Sequence, residues 1–488
     1  MLKMLACDLG ASNGRVVLGS FDGNTLSTEE IHRFPNYPVF AAGRLYWDVL
    51  RLFNEIKSGL FQGLGLHNDI VSIAVDTWGS DFGLLDENGH LLANPYHYRD
   101  SYTNGMLKEV LKKVTMEELY YEVGAEMSEL STLFMVYSLH TGKHVHMRYA
   151  KTLLLMPDLF NYFLSGVKAT EYTIASSSRL ISPVTKKWLY GLMDKLNLSK
   201  FIFTDIITPG TVLGNLTREV SGDLGGKSLK VIATSSHDTA SAVAAIPAQD
   251  EDLIYISSGT WSLVGIETDS PIITKKAMEY SFINEGGVCG KTRFLKNVMG
   301  LWLIEQCRSD WKIHGEEISY SDMDMLAEKA GLFEAFINPS DSSFVSPGNM
   351  PDKIREFCQN KNQRIPEGKG EIVAVINQSL AMEYRKTIEQ IEETSGKKFS
   401  KIFIVGGGVK NKALCQYTAN ATGKEVFAGY SETVCVGNIL MQAMAMGEIK
   451  NLTELRQVAK ASFPVEYYTP KDKEAWDEAY GKYIKATE

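Results

Sequence analysis

A chain of 488 residues with 44% hydrophobic and 22% charged side chains is long enough for two or three domains and has ordinary globular composition, which excludes a disordered or fibrous class. Its formal charge of −9, with no block of lysine or arginine, argues against nucleic acid or an anionic membrane as partner. No run approaches the ~18 apolar residues of a membrane span, and the six cysteines form no C-x-x-C pair, so neither a zinc site nor a dithiol motif is suggested. The apolar start from Met1 to Ala6 stops at Asp8, too soon for a secretory leader. The cytoplasm is the expected location, and a monomer or homodimer the expected state.

In chain order, Leu2 to Cys7 reads as a strand. It breaks at Asp8-Leu9-Gly10-Ala11-Ser12-Asn13-Gly14 and resumes at Arg15 to Leu18, a hairpin signal. A second apolar strand, Ile70 to Val75, runs into Asp76-Thr77-Trp78-Gly79-Ser80-Asp81. From Met106 to Leu164 the apolar spacing is helical. Leu229 to Ala233 is a strand followed by Thr234-Ser235-Ser236-His237-Asp238-Thr239 and an alanine-rich helix over Ala240 to Ala245. The polar stretch Ile246 to Asp252, with Pro247, marks a domain boundary. Beyond it the opening unit recurs: strand Leu253 to Ile256, turn Ser257-Ser258-Gly259-Thr260, strand Trp261 to Ile266. This repeat points to two domains of related topology. A helix over Glu371 to Glu393 stops at Gly396. Strand Ile402 to Val405, the turn Gly406-Gly407-Gly408 and a helix from about Asn411 to Ala421 follow, then a strand at Val426-Phe427 and a helix from about Glu432 to Met446. Strands alternating with helices make an α/β fold. The expected domains are 1–246 and 253–450, with a helical extension over 451–488.

Several of these turns have the chemistry of phosphate sites. A turn of Gly, Ala, Ser and Asn lets backbone N–H groups approach a phosphate, and Arg15 adds a fixed charge. Asp8, ending a buried strand, is placed to hold a hydrated Mg²⁺; the plainer reading is a tight hairpin with a capping aspartate. The Ser258-Gly259-Thr260 turn repeats the pattern without the acid. The three glycines at 406–408 clear a surface for a ring or ribose ahead of a helix N-terminus, or simply pack that helix on its strand. No Walker motif or G-x-G-x-x-G fingerprint occurs. Asp238 is positioned to accept a hydroxyl proton during phosphoryl transfer, or merely to cap a helix, and His237 to hydrogen-bond a sugar hydroxyl. The Asp76–Asp81 loop offers polar groups and an indole ring that would cover a sugar's C–H face.

Asp8-Leu-Gly-Ala-Ser-Asn-Gly-Arg15, Asp76-Thr-Trp-Gly79, Ser236-His-Asp-Thr-Ala-Ser-Ala-Val243, Ile256-Ser-Ser-Gly-Thr-Trp-Ser-Leu263, Asn284-Glu-Gly-Gly287, Lys296-Asn-Val-Met-Gly-Leu-Trp302 and Ile404-Val-Gly-Gly-Gly408 together resemble the FGGY carbohydrate kinases. The resemblance runs in family order over nearly the whole chain. It implies two actin-like, ribonuclease-H-like domains flanking a nucleotide and sugar cleft, and Mg²⁺- and ATP-dependent phosphorylation of a ketose. The sugar implied is L-rhamnulose, phosphorylated at O1, with L-fuculose or another ketose as the alternative. A non-catalytic actin-like ATP-binding protein is the competing class. By position the resemblance makes Asp238 the proton acceptor, with Gly79, His237, Asp238, Thr239 and Asn297 around the sugar. Ala11, Ser12, Asn13, Gly14, Arg15, Thr260, Glu305 and Gly407 would contact ATP, and Asp8 the metal. The chain departs from the pattern at three places. Ser80 stands where an apolar residue is expected, and Glu305 where a neutral amide is expected, with Gln306 beside it. Ser431 to Cys435 interrupts a run of small residues.

Overall fold

In a computed structural model, residues 1–248 and 252–487 are described; Gln249, Asp250 and Glu251, at the centre of the expected boundary, lie outside the described residues. Packing divides the chain into two units that are not contiguous in sequence. The first is Met1–Gln249, Glu267–Phe294 and Thr433–Ser462; the second is Asp250–Ile266, Leu295–Glu432 and Phe463–Glu488.

The first unit is built on a six-stranded sheet of β1 (Leu2–Leu9), β2 (Asn13–Phe21), β3 (Leu26–Pro35), β4 (Ile70–Thr77), β5 (Thr211–Asn215) and β6 (Lys230–Ala233). Its order is β5-β6-β4-β1-β2-β3. β1, β4 and β6 are parallel, whereas β2, β3 and β5 pair antiparallel with their neighbours. The last six residues of β1 are all buried, as a strand covered on both faces requires. Leu52, Ile56 and Leu60 of helix Val49–Leu66 join Leu5, Cys7, Val16 and Leu18 in one core cluster. Helix Thr433–Ala445 also lies on this sheet, with Ile439 against Gly19. The helical region predicted from Met106 contains a strand the periodicity hides: Thr152–Leu155 pairs antiparallel with Phe82–Leu85.

The second unit repeats the plan with β7 (Leu253–Ser258), β8 (Trp261–Thr268), β9 (Thr292–Met299), β10 (Lys401–Val405), β11 (Glu425–Ala428) and β12 (Glu466–Tyr468), in the order β9-β8-β7-β10-β11-β12. β7 pairs antiparallel with β8 and parallel with β10, β10 parallel with β11, and β11 antiparallel with β12. These are the directions of β1, β2, β4, β6 and β5, so the duplication read from the two hairpins extends to five strands of each sheet. Helix Lys369–Ser395 ends at Gly396, whose φ of 68° is the left-handed C-cap that glycine adopts without penalty.

Candidate active site

The β1–β2 hairpin sets Asp8 opposite Arg15. Arg15 donates from Nε and places Nη2 on the same Asp8 oxygen, each at 2.9 Å. The turn closes with the Gly10 amide donating to the Asn13 carbonyl at 2.9 Å, and no described residue accepts from the Ala11 or Ser12 amide. Ser12 and Asn13 are exposed. Gly14 is required by packing: a Cβ there would fall 2.3 Å from the Phe34 ring. This turn therefore presents backbone donors beside a guanidinium, an arrangement suited to an anion.

β4 brings Asp76 next to Asp8 in parallel register. Burial and the nearby Asp8 charge push the Asp76 carboxyl well up, against a hydrogen bond donated by Asn438 Nδ2. In the loop that follows, the expected sugar platform is corrected. Trp78 is 6% exposed and packs on Trp47 with ring centroids 4.2 Å apart. Both indole N–H groups donate to Asp81 Oδ2, at 2.7 and 2.6 Å. The ring is spent on the core because an indole satisfies its one donor and buries its large apolar area at once. Ser80, at the departure from the pattern, has φ 77°, an uncommon conformation for a residue with a side chain. Its carbonyl accepts from Thr132 Oγ1 at 2.6 Å. Gly79 faces inward: a Cβ there would lie 3.1 Å from Ser177 Oγ and 3.5 Å from His237 Nε2.

β6 ends just before His237 and Asp238, which open helix Asp238–Ala244. His237 occupies the N-cap position without a side-chain cap bond, so Asp238 is the first helical residue rather than the cap. The Asp238 side chain keeps 28% of its surface exposed. Its Oδ1 accepts from the Thr239 amide at 2.5 Å and Thr239 Oγ1 at 3.1 Å, and lies 3.6 Å from His237 Nε2. Burial raises this carboxyl above the ordinary aspartate range, and the Asp8 charge adds to the shift. The structure thus gathers Asp8, Arg15, Gly79, His237, Asp238 and Thr239 in the first unit. Among the described residues no group of three or more histidine, cysteine or carboxylate side chains is arranged to hold a metal.

In the second unit the Gly259 amide donates to the Trp261 carbonyl at 2.9 Å, and the Thr260 carbonyl accepts from the Gly300 amide at 3.1 Å. Helix Trp302–Ile313 starts there and carries Glu305, whose carboxyl is raised by burial against the Arg308 charge. Gln306 Oε1 accepts from the Gly348 amide at 3.3 Å, so it ties down a neighbouring loop. Asn297 lies half-buried on β9. Of the three glycines, 406 and 408 are packing residues: a Cβ would fall 2.8 Å from the Ser258 carbonyl oxygen and 2.1 Å from Ser258 Oγ, respectively. Only Gly407 is exposed, with open space above it. The helix beyond does not offer a bare N-terminus, because Asn411 Oδ1 caps it at Leu414 N, 2.9 Å.

The family models for the FGGY family of carbohydrate kinases match at residues 3–245 for the N-terminal domain and 254–446 for the C-terminal domain. The chain belongs to this family. As an FGGY kinase it is an enzyme that acts on a sugar and ATP. A rhamnulokinase of Bacteroides thetaiotaomicron is 41% identical over 478 residues, covering 98% of both chains. One of Oceanobacillus iheyensis is 39% identical over 464 residues, 95% of this chain and 97% of that one. In structure the chain is similar to xylulose kinase from Lactobacillus acidophilus, with TM-score 0.82 at 17% identity over 99% and 97% of the chains. These matches place the FGGY kinase among α/β proteins of the two-domain actin-like fold. No helix among the described residues is long and apolar enough to cross a membrane.

Sequence reasoning missed what holds His237. Glu171 Oε2 accepts from the Ser236 amide at 3.0 Å, and the His237 amide donates to Thr173 Oγ1 at 3.1 Å. Burial raises Glu171 to about 7, against four hydrogen bonds from Thr173, Ser236 and Ile174. On the ring side stand Glu285, Arg293 and Arg179. Burial alone would raise Glu285, but the Arg293 and Arg179 guanidiniums beside it favour its ionised form, and it lies far below the usual carboxylate range. The motif Asn284 to Gly287 marked the place without revealing this role.

Proposed function

We propose that the chain transfers the γ-phosphoryl group of ATP to O1 of L-rhamnulose. The observation that carries the mechanism is the partly exposed Asp238 carboxylate beside His237 and Gly79, at the C-terminal end of parallel strands. The sugar rests on relatives named rhamnulokinase at 34–41% identity over at least 95% of this chain.

In this reading the sugar sits among Gly79, His237, Asp238, Thr239 and Asn297. Its O1 attacks the γ-phosphorus as the bond to ADP breaks and ADP takes the electron pair. The hydroxyl proton passes to Asp238, which acts in its ionised form. The turn of Ala11 to Gly14, with Arg15, holds phosphate oxygens, and Thr260, Glu305 and Gly407 contact the nucleotide. The half 1–246 then carries sugar binding, phosphate binding and the base, and the half 253–450 binds the nucleotide. Asp8 suits a hard divalent cation: burial first, and the Asp8 charge after it, push up the nearby acids Asp76 and Asp238, and a cation would relieve the charge part of those shifts. Mg²⁺ usually keeps several waters and uses one or two carboxylates plus phosphates, a role a single carboxylate such as Asp8 could fill. Bound there, Mg²⁺ would neutralise charge on the transferring phosphates.

The test is ADP release by the purified protein with L-rhamnulose, L-fuculose, D-xylulose and L-ribulose, with the phosphorylated carbon located by NMR. L-rhamnulose is expected to give the highest kcat/KM and a 1-phosphate. A preference for its epimer L-fuculose would move the assignment, since a site built to hydrogen-bond one hydroxyl arrangement rejects the other strongly.

A further inference from the structure

His237 has one ring nitrogen facing a fixed donor and the other facing the site. Arg293 Nη2 lies 3.0 Å from Nδ1 in hydrogen-bonding geometry. Arg293 is fully buried and cannot turn away: its Nε donates to the Gly286 carbonyl at 2.9 Å and Nη2 also donates to Glu285 Oε2 at 3.1 Å. Glu285 is held in turn by Arg179 Nη1 at 3.3 Å. Glu285 Oε2 is 3.4 Å from Nδ1, farther than Arg293. An arginine offers only donors, so the nitrogen it faces must be an acceptor. The other ring nitrogen, Nε2, has a carboxylate oxygen in front of it instead, Asp238 Oδ1 at 3.6 Å.

We propose that Arg293, locked by Glu285 and Gly286, is a positioning residue that fixes His237 as the neutral tautomer with its proton on Nε2. That N–H then faces Gly79 and Asp238. A sugar hydroxyl placed there accepts from Nε2 and is left with its own proton to give to Asp238. The opposite tautomer would present a lone pair that competes with Asp238 for this proton. The tautomer stands apart from the sugar assignment; only its consequence for the attacking hydroxyl rests on the proposed function.

NMR of the full-length protein carrying isotope-labelled histidine, without sugar or nucleotide, reads both ring nitrogens of His237; His237→Gln identifies the signals. The expected wild-type spectrum has an unprotonated Nδ1 and a protonated Nε2. Arg293→Met leaves Glu285 as the only partner of Nδ1, so the proton shifts towards Nδ1. On the best sugar kcat falls about 10- to 100-fold with KM for ATP unchanged, and Arg293→Lys recovers part of it. Glu285→Gln keeps the Arg293 donor and the Nε2 proton. A wild-type ring protonated on Nδ1 or on both nitrogens overturns the proposal whether or not the variants fold. So does a folded Arg293→Met protein with an unchanged tautomer, or a Glu285→Gln protein whose tautomer flips. The expected spectrum in a protein that phosphorylates no ketose would sink the sugar assignment alone.

Discussion

Gly437→Ala reaches Asp238 through a helix crossing. Gly437 lies in helix Thr433–Ala445 against helix Asp238–Ala244, whose first residue is Asp238. A Cβ at 437 would fall 1.8 Å from the Ser241 carbonyl oxygen, 2.6 Å from its carbon and 3.1 Å from its Cα. Non-bonded carbon and oxygen atoms keep beyond about 3.3 Å, so the helices must part by more than about 1 Å. The obstacle is backbone, and no rotamer change relieves it. Overpacking of this kind costs about 1–3 kcal/mol, and a catalytic group displaced by about 1 Å costs about 100-fold in rate. Steady-state kinetics on the best sugar, with a thermal melt, should show kcat down on the order of 100-fold and a midpoint lower by about 1–5 °C. Gly191→Ala is the control: Gly191 is helical with nothing within 4 Å of its Cβ position. It should leave kcat alone and add about 0.5 kcal/mol. Wild-type kcat and midpoint in Gly437→Ala would refute the claim that this crossing positions Asp238.

Asp238 must be ionised to take a proton, and its carboxyl is raised by burial. The kcat/KM profile should therefore fall on the acid side through a value above the ordinary aspartate figure of about 3.9; full activity at pH 4 contradicts this. Asp81 is raised to about 7 by burial, against the two indole hydrogen bonds. Its neutral form is the one the fold favours, so its contribution is complete below the unfolded value and is lost as pH rises through about 7. Across that window the loss is at most about 4 kcal/mol. Asp81→Asn should flatten the wild-type decline in thermal midpoint over this range, leaving the slope due to Glu171. A stability difference between the two proteins that is the same at pH 5 and pH 8 would show that Asp81 does not titrate there.

Local chemistry made the hairpins and terminal helices legible. The Gly/Ser/Asn turn after Asp8 forms the predicted hairpin, and the helix read over Glu371 to Glu393 extends only to Lys369–Ser395. His237 and Asp238 were readable together because they are adjacent in the chain between a strand and a helix, whereas Gly79 was joined to them only by the family resemblance. Trp78 was misread because an indole's burial is decided by partners such as Trp47 and Asp81, which spacing does not reveal. The strand Thr152–Leu155 was lost in a run of helical periodicity, since a threonine and three leucines fit either period. The network behind His237 draws on positions 171, 173, 179, 285 and 293. Each looks like an ordinary polar residue until the fold buries them together. The packing of Thr433–Ser462 with the first unit is equally invisible to a reading that proceeds along the chain.

Asp238→Asn tests the central claim most directly. It preserves size and the hydrogen-bonding oxygen but removes the capacity to accept a proton. With the best ketose, ADP release by the variant should fall at least about 100-fold below wild type, with an unchanged thermal midpoint and nucleotide affinity. Near-wild-type turnover in a folded Asp238→Asn protein would show that Asp238 is not the proton acceptor.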